Sequence, residues 1–296
     1  MAEMINGKEV AQAVRAKVAT QAEYLKTKGV TPGLAVILVG EDPASQIYVR
    51  NKSRAAQKSG VDAQTIILPV DTTEADLLAK IDELNHDAKI DAILVQSPVP
   101  AQINEQKVQE AIAPAKDVDG FHPENVGRLF AGRSGYYPIA NTPRGIMTLL
   151  QAAKVDLAGK NAVVIGRSIL VGKPMFALLT AANATVTLAH SHTDATTLKA
   201  LLKNADIVVV GTGIPKMVKG ADLKAGATVI DVGINRLDDG TIVGDVDFAS
   251  AEPIVGKITP VPGGVGPMTI ATLMQTTVEL AAQHHDITLE NGWQII

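Results

Sequence analysis

The sequence predicts an α/β protein of two domains, and three observations support this prediction. The chain has 296 residues, about twice the roughly 150 residues of a typical domain. Short aliphatic runs alternate with longer stretches of helical periodicity. Each run is continuously apolar, as in parallel strands that helices cover on both faces. The predicted strands span residues 34–39, 65–68, 92–95, 162–165, 185–188, 207–210 and 229–232.

Composition excludes several classes of protein. Hydrophobic residues make up 46% and charged residues 20% of the chain, values typical of a globular core and not of disorder. The net charge is −4 and basic residues form no run, so nucleic acid is not an expected partner. Cysteine is absent, which excludes disulfides and thiolate metal sites, and no metal is expected. Without a signal-peptide pattern or an apolar run near roughly 20 residues, we expect a cytoplasmic protein with no membrane partner.

A segment rich in glycine and proline, residues 130–145, predicts the linker between the domains. We place the boundary near residue 140, with one domain over residues 1–140 and the second over residues 141–267. Apolar residues recur at helical spacing after residue 267. The stretch 268–296 is therefore predicted to be a final helix that completes the first domain.

A glycine-rich turn follows the strand at 162–165. Gly166, Ser168 and Gly172 are spaced as in a tight turn that enters a helix. Small residues there let the backbone approach a pyrophosphate, while the helix start supplies amide donors. Three more strands follow, so the second domain is predicted to be a Rossmann-like, doubly wound sheet. Taken alone, the turn is equally consistent with a purely structural role.

The residues around this turn favour NADP over NAD. An NAD enzyme commonly carries an acid near the end of the second strand, but LAHSHT at 188–193 contains none. Arg167 lies within the turn, and Ser168, Ser191 and His192 add hydrogen-bonding groups that suit a 2′-phosphate. The alternative is that Arg167 is an ordinary surface residue and the serines cap loops.

In the first domain, Asp42 and Pro43 predict a helix start. Tyr48 and Lys52 follow four residues apart and share one helical face. A partly desolvated lysine has a lowered pKa and suits proton transfer near neutral pH. The competing interpretation is a lysine whose stem packs while its ammonium reaches water.

Two further polar groups follow the strand at 92–95. Gln96 stands at its carboxyl end, where ligand sites of α/β sheets gather. Asp119, within KDVDGFHPENVGR at 116–128, can accept paired hydrogen bonds from a planar, amidine-like ligand edge. Solvated loop charges are the alternative, and His122 fits a turn as well as a catalytic role.

Together these segments resemble the bifunctional methylenetetrahydrofolate dehydrogenase/methenyltetrahydrofolate cyclohydrolase family over nearly the whole chain. The resemblance rests on eight segments in the family's order: YVRNK at 48–52, VQSPVP at 95–100, KDVDGFHPENVGRL at 116–129, VVIGRSILVGKP at 163–174, ATVTLAHSHT at 184–193, VIDVGIN at 229–235, GDVDF at 244–248 and TPVPGGVGPMT at 259–269.

The resemblance implies an enzyme of one-carbon metabolism that is a homodimer. It implies NADP-dependent oxidation of 5,10-methylenetetrahydrofolate to the methenyl cation, followed by hydrolysis to 10-formyltetrahydrofolate. The roles it implies are Lys52 as the catalytic lysine, Tyr48 as the ring stacked on folate, Gln96 as the group that tunes the lysine, Asp119 as the acid that binds the pterin, Gly166, Arg167, Ser168, Ser191 and Ile234 as cofactor contacts, and Pro262, Gly263 and Gly264 as a loop beside the folate.

Some positions depart from the family's pattern. Ser97 and Val99 stand where the family usually reads VQLPLP, and residues 140–143 read ANTP where it reads PCTP. His192 stands where the family commonly has a basic residue. Arg167 is therefore the main fixed positive charge available to bind a 2′-phosphate. Two other functions remain open: a different two-domain NAD(P)-dependent dehydrogenase, or a non-catalytic nucleotide-binding subunit. An unrelated dehydrogenase has no reason to carry Tyr48, Lys52, Gln96 and Asp119 in these contexts, and a non-catalytic subunit is expected to have lost Lys52.

Overall fold

The computed structural model describes residues 1–290 of the chain. Its α-helices are α1 (Gly7–Thr27), α2 (Pro43–Lys58), α3 (Glu74–His86), α4 (Glu105–Ala111), α5 (Pro123–Phe130), α6 (Asn141–Ala152), α7 (Gly172–Ala181), α8 (Ala195–Asn204), α9 (Phe248–Ala251) and α10 (Val265–His284). Its strands are β1 (Glu3–Met4), β2 (Gly33–Val39), β3 (Asp62–Leu68), β4 (Ala92–Val95), β5 (Asn161–Ile165), β6 (Thr185–Ala189), β7 (Ile207–Val210), β8 (Thr228–Asp231), β9 (Asn235–Arg236), β10 (Ile242–Val243) and β11 (Lys257–Ile258).

The predicted α/β class is confirmed, and all seven predicted strands are present as β2 to β8. The expectation that helices bury both faces of every strand is wrong for β3 and β6. Each of these strands lies at the edge of its sheet; Ile67 of β3 is 64% exposed, and Thr185 of β6 is also exposed. The predicted final helix ends at His284, and the last six residues of the predicted stretch lie outside the described residues.

The chain forms two compact units. The amino-terminal unit contains Ala13–Asn141 and residues 270–290, and the central unit contains Met1–Gln12 and Thr142–Thr269. The first twelve residues thus belong to the central unit, whereas the predicted boundary placed them in the first domain, 1–140. The physical reason is that β1 pairs in parallel with β11, and the amide of Ile5 donates to the carbonyl of Ile258 at 2.8 Å. A two-residue strand has no periodicity by which the sequence could reveal this pairing.

The amino-terminal unit is built on a parallel sheet with the strand order β3-β2-β4. Leu34, Val36 and Leu38 of β2 pack on one face, in a core shared with α1 and α10. The intervening residues of β2 face the opposite core, which α3 covers. Burying each such aliphatic side chain contributes about 1.5–3 kcal/mol. Helix α10 therefore supplies part of this unit's core.

The central unit is built on a parallel sheet with the order β1-β11-β8-β7-β5-β6. The chain passes from β5 to β6 on one side and then returns to place β7 on the other side of β5. The amino-terminal unit repeats this reversal, with β3 and β4 on opposite sides of β2. In such sheets ligands bind at the carboxyl ends of the strands where the order reverses. Within residues 1–290, each helix is too short or too polar to cross a lipid bilayer.

Candidate active site

Helix α2 carries Lys52 and begins as the sequence predicted. The Asp42 carboxylate accepts a hydrogen bond from the amide of Ser45 at 2.7 Å, and proline occupies the first turn. The helix follows β2 directly, so it starts at the carboxyl end of the sheet's central strand. The position of this helix start determines where Lys52 lies relative to the carboxyl end of β2.

Lys52 and Gln96 form a direct hydrogen bond. The Lys52 Nζ donates to Gln96 Oε1 at 2.9 Å. Gln96 Nε2 donates to the carbonyl of Ser97 at 2.7 Å, which orients the amide so that its oxygen faces the lysine. The backbone N–H of Gln96 also donates to the carbonyl of Ile37 at 2.8 Å. Gln96 therefore lies where β4 ends beside β2, at the point of strand reversal.

The Lys52 ammonium is in an environment that favours release of its proton. Burial lowers the pKa of Lys52, and the negative charge of Asp119 only partly opposes this effect. A lysine held in this way has access to its neutral form closer to physiological pH.

Asp119 lies close enough to Lys52 for their charges to interact. The segment that carries it extends the sheet beyond β4, because Asp117 forms a parallel bridge with Ile93. Burial raises the pKa of Asp119 to about 6, while the charge of Lys52 and a hydrogen bond from Asn141 act in the opposite direction. The structure thus brings Lys52, Gln96 and Asp119 together at one sheet edge, from three separate segments.

Tyr48 lies one helical turn before Lys52, and its side chain is 48% exposed. Its ring is open to a planar ligand. His122, by contrast, is a turn residue: its Nδ1 accepts the amide of Glu124 at 3.1 Å and caps α5, while its own amide donates to the Asp117 carboxylate at 2.8 Å.

Asn141 is a polar contact that sequence reasoning missed. Its Nδ2 donates to Asp119 Oδ1 at 3.2 Å. The only sequence signal was its place in ANTP, one of the segments that departs from the family's pattern.

The glycine turn of the central unit has the backbone geometry of a nucleotide-binding loop. Gly166 adopts φ +121°, and a Cβ there would lie 2.4 Å from the carbonyl oxygen of Gly211. A Cβ on Gly172 would lie 1.8 Å from the carbonyl oxygen of Gly166. Only glycine fits these two approaches, which bring the ends of β5 and β7 together at the start of α7. The Ser168 hydroxyl accepts the amide of Val171 at 3.2 Å and stabilises the turn.

Arg167 is the next residue of this turn, which lies beside the end of β6. The amide of Gly166 donates to the carbonyl of Ala189 at 2.9 Å, so the turn adjoins the loop that holds Ser191. Both Arg167 and Ser191 are exposed. The Asp194 carboxylate accepts the amides of Thr196 and Thr197 and caps α8. Within residues 1–290, Arg167 has no carboxylate partner at ion-pair distance.

Ile234 and the loop at Pro262, Gly263 and Gly264 line one cavity of about 180 Å³ in the central unit. Ile234 follows β8 and is 55% exposed, which suits contact with a ligand. These four residues belong to the central unit, whereas Tyr48, Lys52, Gln96 and Asp119 belong to the amino-terminal unit. Across the described part of the chain, His, Asp and Glu form no cluster of three suited to a metal ion.

Comparison with protein families finds two matching models. Residues 5–119 match the tetrahydrofolate dehydrogenase/cyclohydrolase catalytic domain, and residues 140–285 match the NAD(P)-binding domain of the same family.

Individual proteins agree with these matches. The bifunctional protein FolD of Lactiplantibacillus plantarum is 62% identical over 281 residues, which cover 95% of this chain and 98% of the relative. A crystal structure of the bifunctional FolD enzyme from Campylobacter jejuni has a TM-score of 0.93 at 43% identity, covering 96% of this chain and 99% of that one. The structure of the Trypanosoma brucei dehydrogenase-cyclohydrolase, solved with NADP and an inhibitor, has a TM-score of 0.91 at 36% identity. The match covers 95% of this chain and 98% of that one.

The matched segments include both sheet edges described above, and the relatives align over almost their full length. The chain therefore belongs to the tetrahydrofolate dehydrogenase/cyclohydrolase family of enzymes.

Proposed function

We propose that this enzyme oxidises 5,10-methylenetetrahydrofolate to 5,10-methenyltetrahydrofolate with NADP and then hydrolyses the methenyl cation to 10-formyltetrahydrofolate. In the first step a hydride leaves the methylene carbon. In the second step water adds to the resulting cation, a proton is lost, and a ring C–N bond opens. Family membership supports both steps.

The observation that carries the proposal is the hydrogen bond between Lys52 and Gln96 in a desolvated environment. The methenyl substrate is a cation and disfavours an adjacent ammonium, so it adds to the effect of burial. Neutral Lys52 then accepts the proton that is lost when water attacks. Gln96 holds the lysine nitrogen in place, since its own amide is fixed by Ser97.

The residues of the central unit fit NADP. The turn at Gly166, Arg167 and Ser168 would hold the phosphates, since glycine keeps the backbone open and α7 starts there. Arg167 and Ser191 would bind the 2′-phosphate, and Ile234 would pack against the nicotinamide end. When bound, NADP accepts the hydride. That step requires alignment of donor and acceptor and no proton transfer by the protein.

In the amino-terminal unit, folate binding is assigned to Asp119 and Tyr48, and the folate contact that the resemblance implies for the loop at Pro262, Gly263 and Gly264 stays a prediction. Ionised Asp119 can accept two parallel hydrogen bonds from the amidine-like edge of the pterin, and its pKa of about 6 leaves it largely ionised at neutral pH. The half-exposed ring of Tyr48 provides a stacking surface.

A coupled assay tests this function. Purified protein is mixed with methylenetetrahydrofolate and either NADP or NAD, and the absorbances of reduced nucleotide and methenyl product are followed together. We expect reduced nucleotide to accumulate while the methenyl signal rises and then decays, faster with NADP. A folded protein that binds both ligands but forms no reduced nucleotide contradicts the proposal. The homodimer implied by the resemblance and the cytoplasmic location expected from the sequence stay predictions.

A further inference from the structure

Asn141 is buried at the start of α6 and joins three other residues. It is 5% exposed. Its Nδ2 donates to the carbonyl of Val118 at 3.0 Å and to Asp119 Oδ1 at 3.2 Å. Its Oδ1 accepts the hydroxyl of Thr276, on α10, at 3.0 Å. All four residues belong to the amino-terminal unit.

These contacts fix which end of the Asn141 amide faces Asp119. A backbone carbonyl can only accept, so the Val118 oxygen requires the amino group on its side. The Thr276 hydroxyl can donate to the amide oxygen on the other side. The donor that reaches Asp119 is therefore held by two independent contacts, one from the backbone and one from α10.

We propose that Asn141 is a positioning residue for substrate binding, which orients the Asp119 carboxylate and keeps it ionised. This inference rests on the proposed function, in which ionised Asp119 binds the pterin. Oδ1 of Asp119 has two acceptor positions, so it can take the Asn141 amide and a substrate hydrogen bond together. The amide thereby limits rotation of the carboxylate without blocking its paired contact with the ligand.

The charges around Asp119 give the direction of the effect. Lys52, on α2, and the hydrogen bond from Asn141 favour the ionised form, whereas burial and Asp117, in the same segment, disfavour it. The balance leaves the pKa of Asp119 at about 6, only slightly below neutral pH. Losing the Asn141 donor raises this pKa, so a larger fraction of Asp119 is protonated at neutral pH and cannot accept both substrate hydrogen bonds.

The test is the pH profile of kcat/KM for methylenetetrahydrofolate in the dehydrogenase reaction, compared between the parent protein and Asn141→Ala. This profile reports the ionisation of the free enzyme. The acidic limb of the profile is the pH range in which kcat/KM falls as the pH is lowered. We expect this limb to lie at higher pH in Asn141→Ala than in the parent. We also expect KM at neutral pH to rise about tenfold, with kcat changed much less. A profile and KM equal to those of the parent overturn the inference.

Asn125→Ala is the matched control. Asn125 is also a buried asparagine, 2% exposed, and its Nδ2 also donates to a carbonyl and a carboxylate, those of Pro114 and Asp117. Removing the Asn125 side chain removes a comparable pair of contacts, but the hydrogen bond from Asn141 to Asp119 stays in place. We therefore expect a similar fall in Tm and no upward shift of the acidic limb. An equal upward shift in both variants identifies a general packing effect and contradicts a specific role for Asn141.

A second variant keeps the inference testable if Asn141→Ala does not fold. Thr276→Val removes the hydroxyl that anchors the amide oxygen and leaves the amide itself present. We expect a smaller shift of the acidic limb in the same direction, and its absence overturns the inference. Failure of the proposed function gives a different result, because the parent protein then shows no dehydrogenase activity at any pH.

Discussion

Replacing Lys52 by methionine separates the two proposed reactions. Methionine has nearly the length of the lysine stem, so it retains the apolar packing on α2 and removes only the titratable nitrogen and its 2.9 Å hydrogen bond to Gln96. Proton transfer by a positioned group is worth about 10² to 10⁴ in rate, or about 2.7 to 5.4 kcal/mol of barrier. We expect cyclohydrolase kcat to fall by that factor.

Hydride transfer depends on alignment, so dehydrogenase kcat at saturating folate should stay within about tenfold of the parent. A secondary effect follows from charge. Lys52 helps to lower the pKa of Asp119, so its loss raises that pKa further above the ordinary aspartate value. Folate KM should therefore rise, and the two reactions must be compared at saturation.

The assay follows reduced nucleotide and methenyl absorbance in the same cuvette. In Lys52→Met the methenyl product should accumulate and then persist. Lys58→Met, which removes an exposed lysine from the last turn of the same helix, is the matched control and should behave like the parent. If folded Lys52→Met hydrolyses the methenyl compound at the parental rate, Lys52 is a structural residue and the proposed proton transfer is wrong.

Perturbations at Arg167, Gly172 and Asp119 test three further assignments. Arg167→Ala should raise KM for NADP about five- to a hundredfold and leave KM for NAD unchanged, and steady-state kinetics that show an equal loss with both nucleotides would exclude a 2′-phosphate contact. Gly172→Ala should weaken NADP about tenfold or more in a fluorescence titration, because the new Cβ would lie 1.8 Å from the Gly166 carbonyl oxygen; unchanged affinity would contradict the close approach. For Asp119, with a pKa of about 6, the carboxylate is lost as pH falls through that value, so kcat/KM for folate should decline below about pH 6. Asp119→Asn should have a high folate KM at every pH, and a retained acidic limb would assign that limb to another group.

Much of the fold could be predicted because the aliphatic strands carry a strong local signal. Residues 92–95 and 207–210 are strands over the predicted bounds. The signal fails where pairing is short. Strands β1 and β11 have two residues each, and nothing in Glu3–Met4 indicates that its partner is Lys257–Ile258. Tertiary pairing alone creates these strands.

The site could be predicted only in part, for a different reason. Local sequence could place Lys52 on a helix and Gln96 at a strand end, but their contact spans 44 positions and depends on strand order. The resemblance to a known family supplied that grouping. It could not supply Asn141, because the hydrogen bond to Asp119 belongs to a segment in which this chain departs from the family's usual residues.

The pairing of β1 with β11 has a consequence for synthesis. The ion pair of Glu3 with Lys257 joins residues 254 positions apart, and closing so long a loop is entropically costly and slows folding. On the ribosome, β2, β3 and β4 can assemble once about the first third of the chain has emerged, because all three strands end by Val95. The edge of the nucleotide-binding sheet must wait until Ile258 has left the exit tunnel. Throughout that interval Glu3 and Met4 have no pairing partner, and the face of β2 that α10 covers is also incomplete, so both units finish folding only after most of the chain has been made.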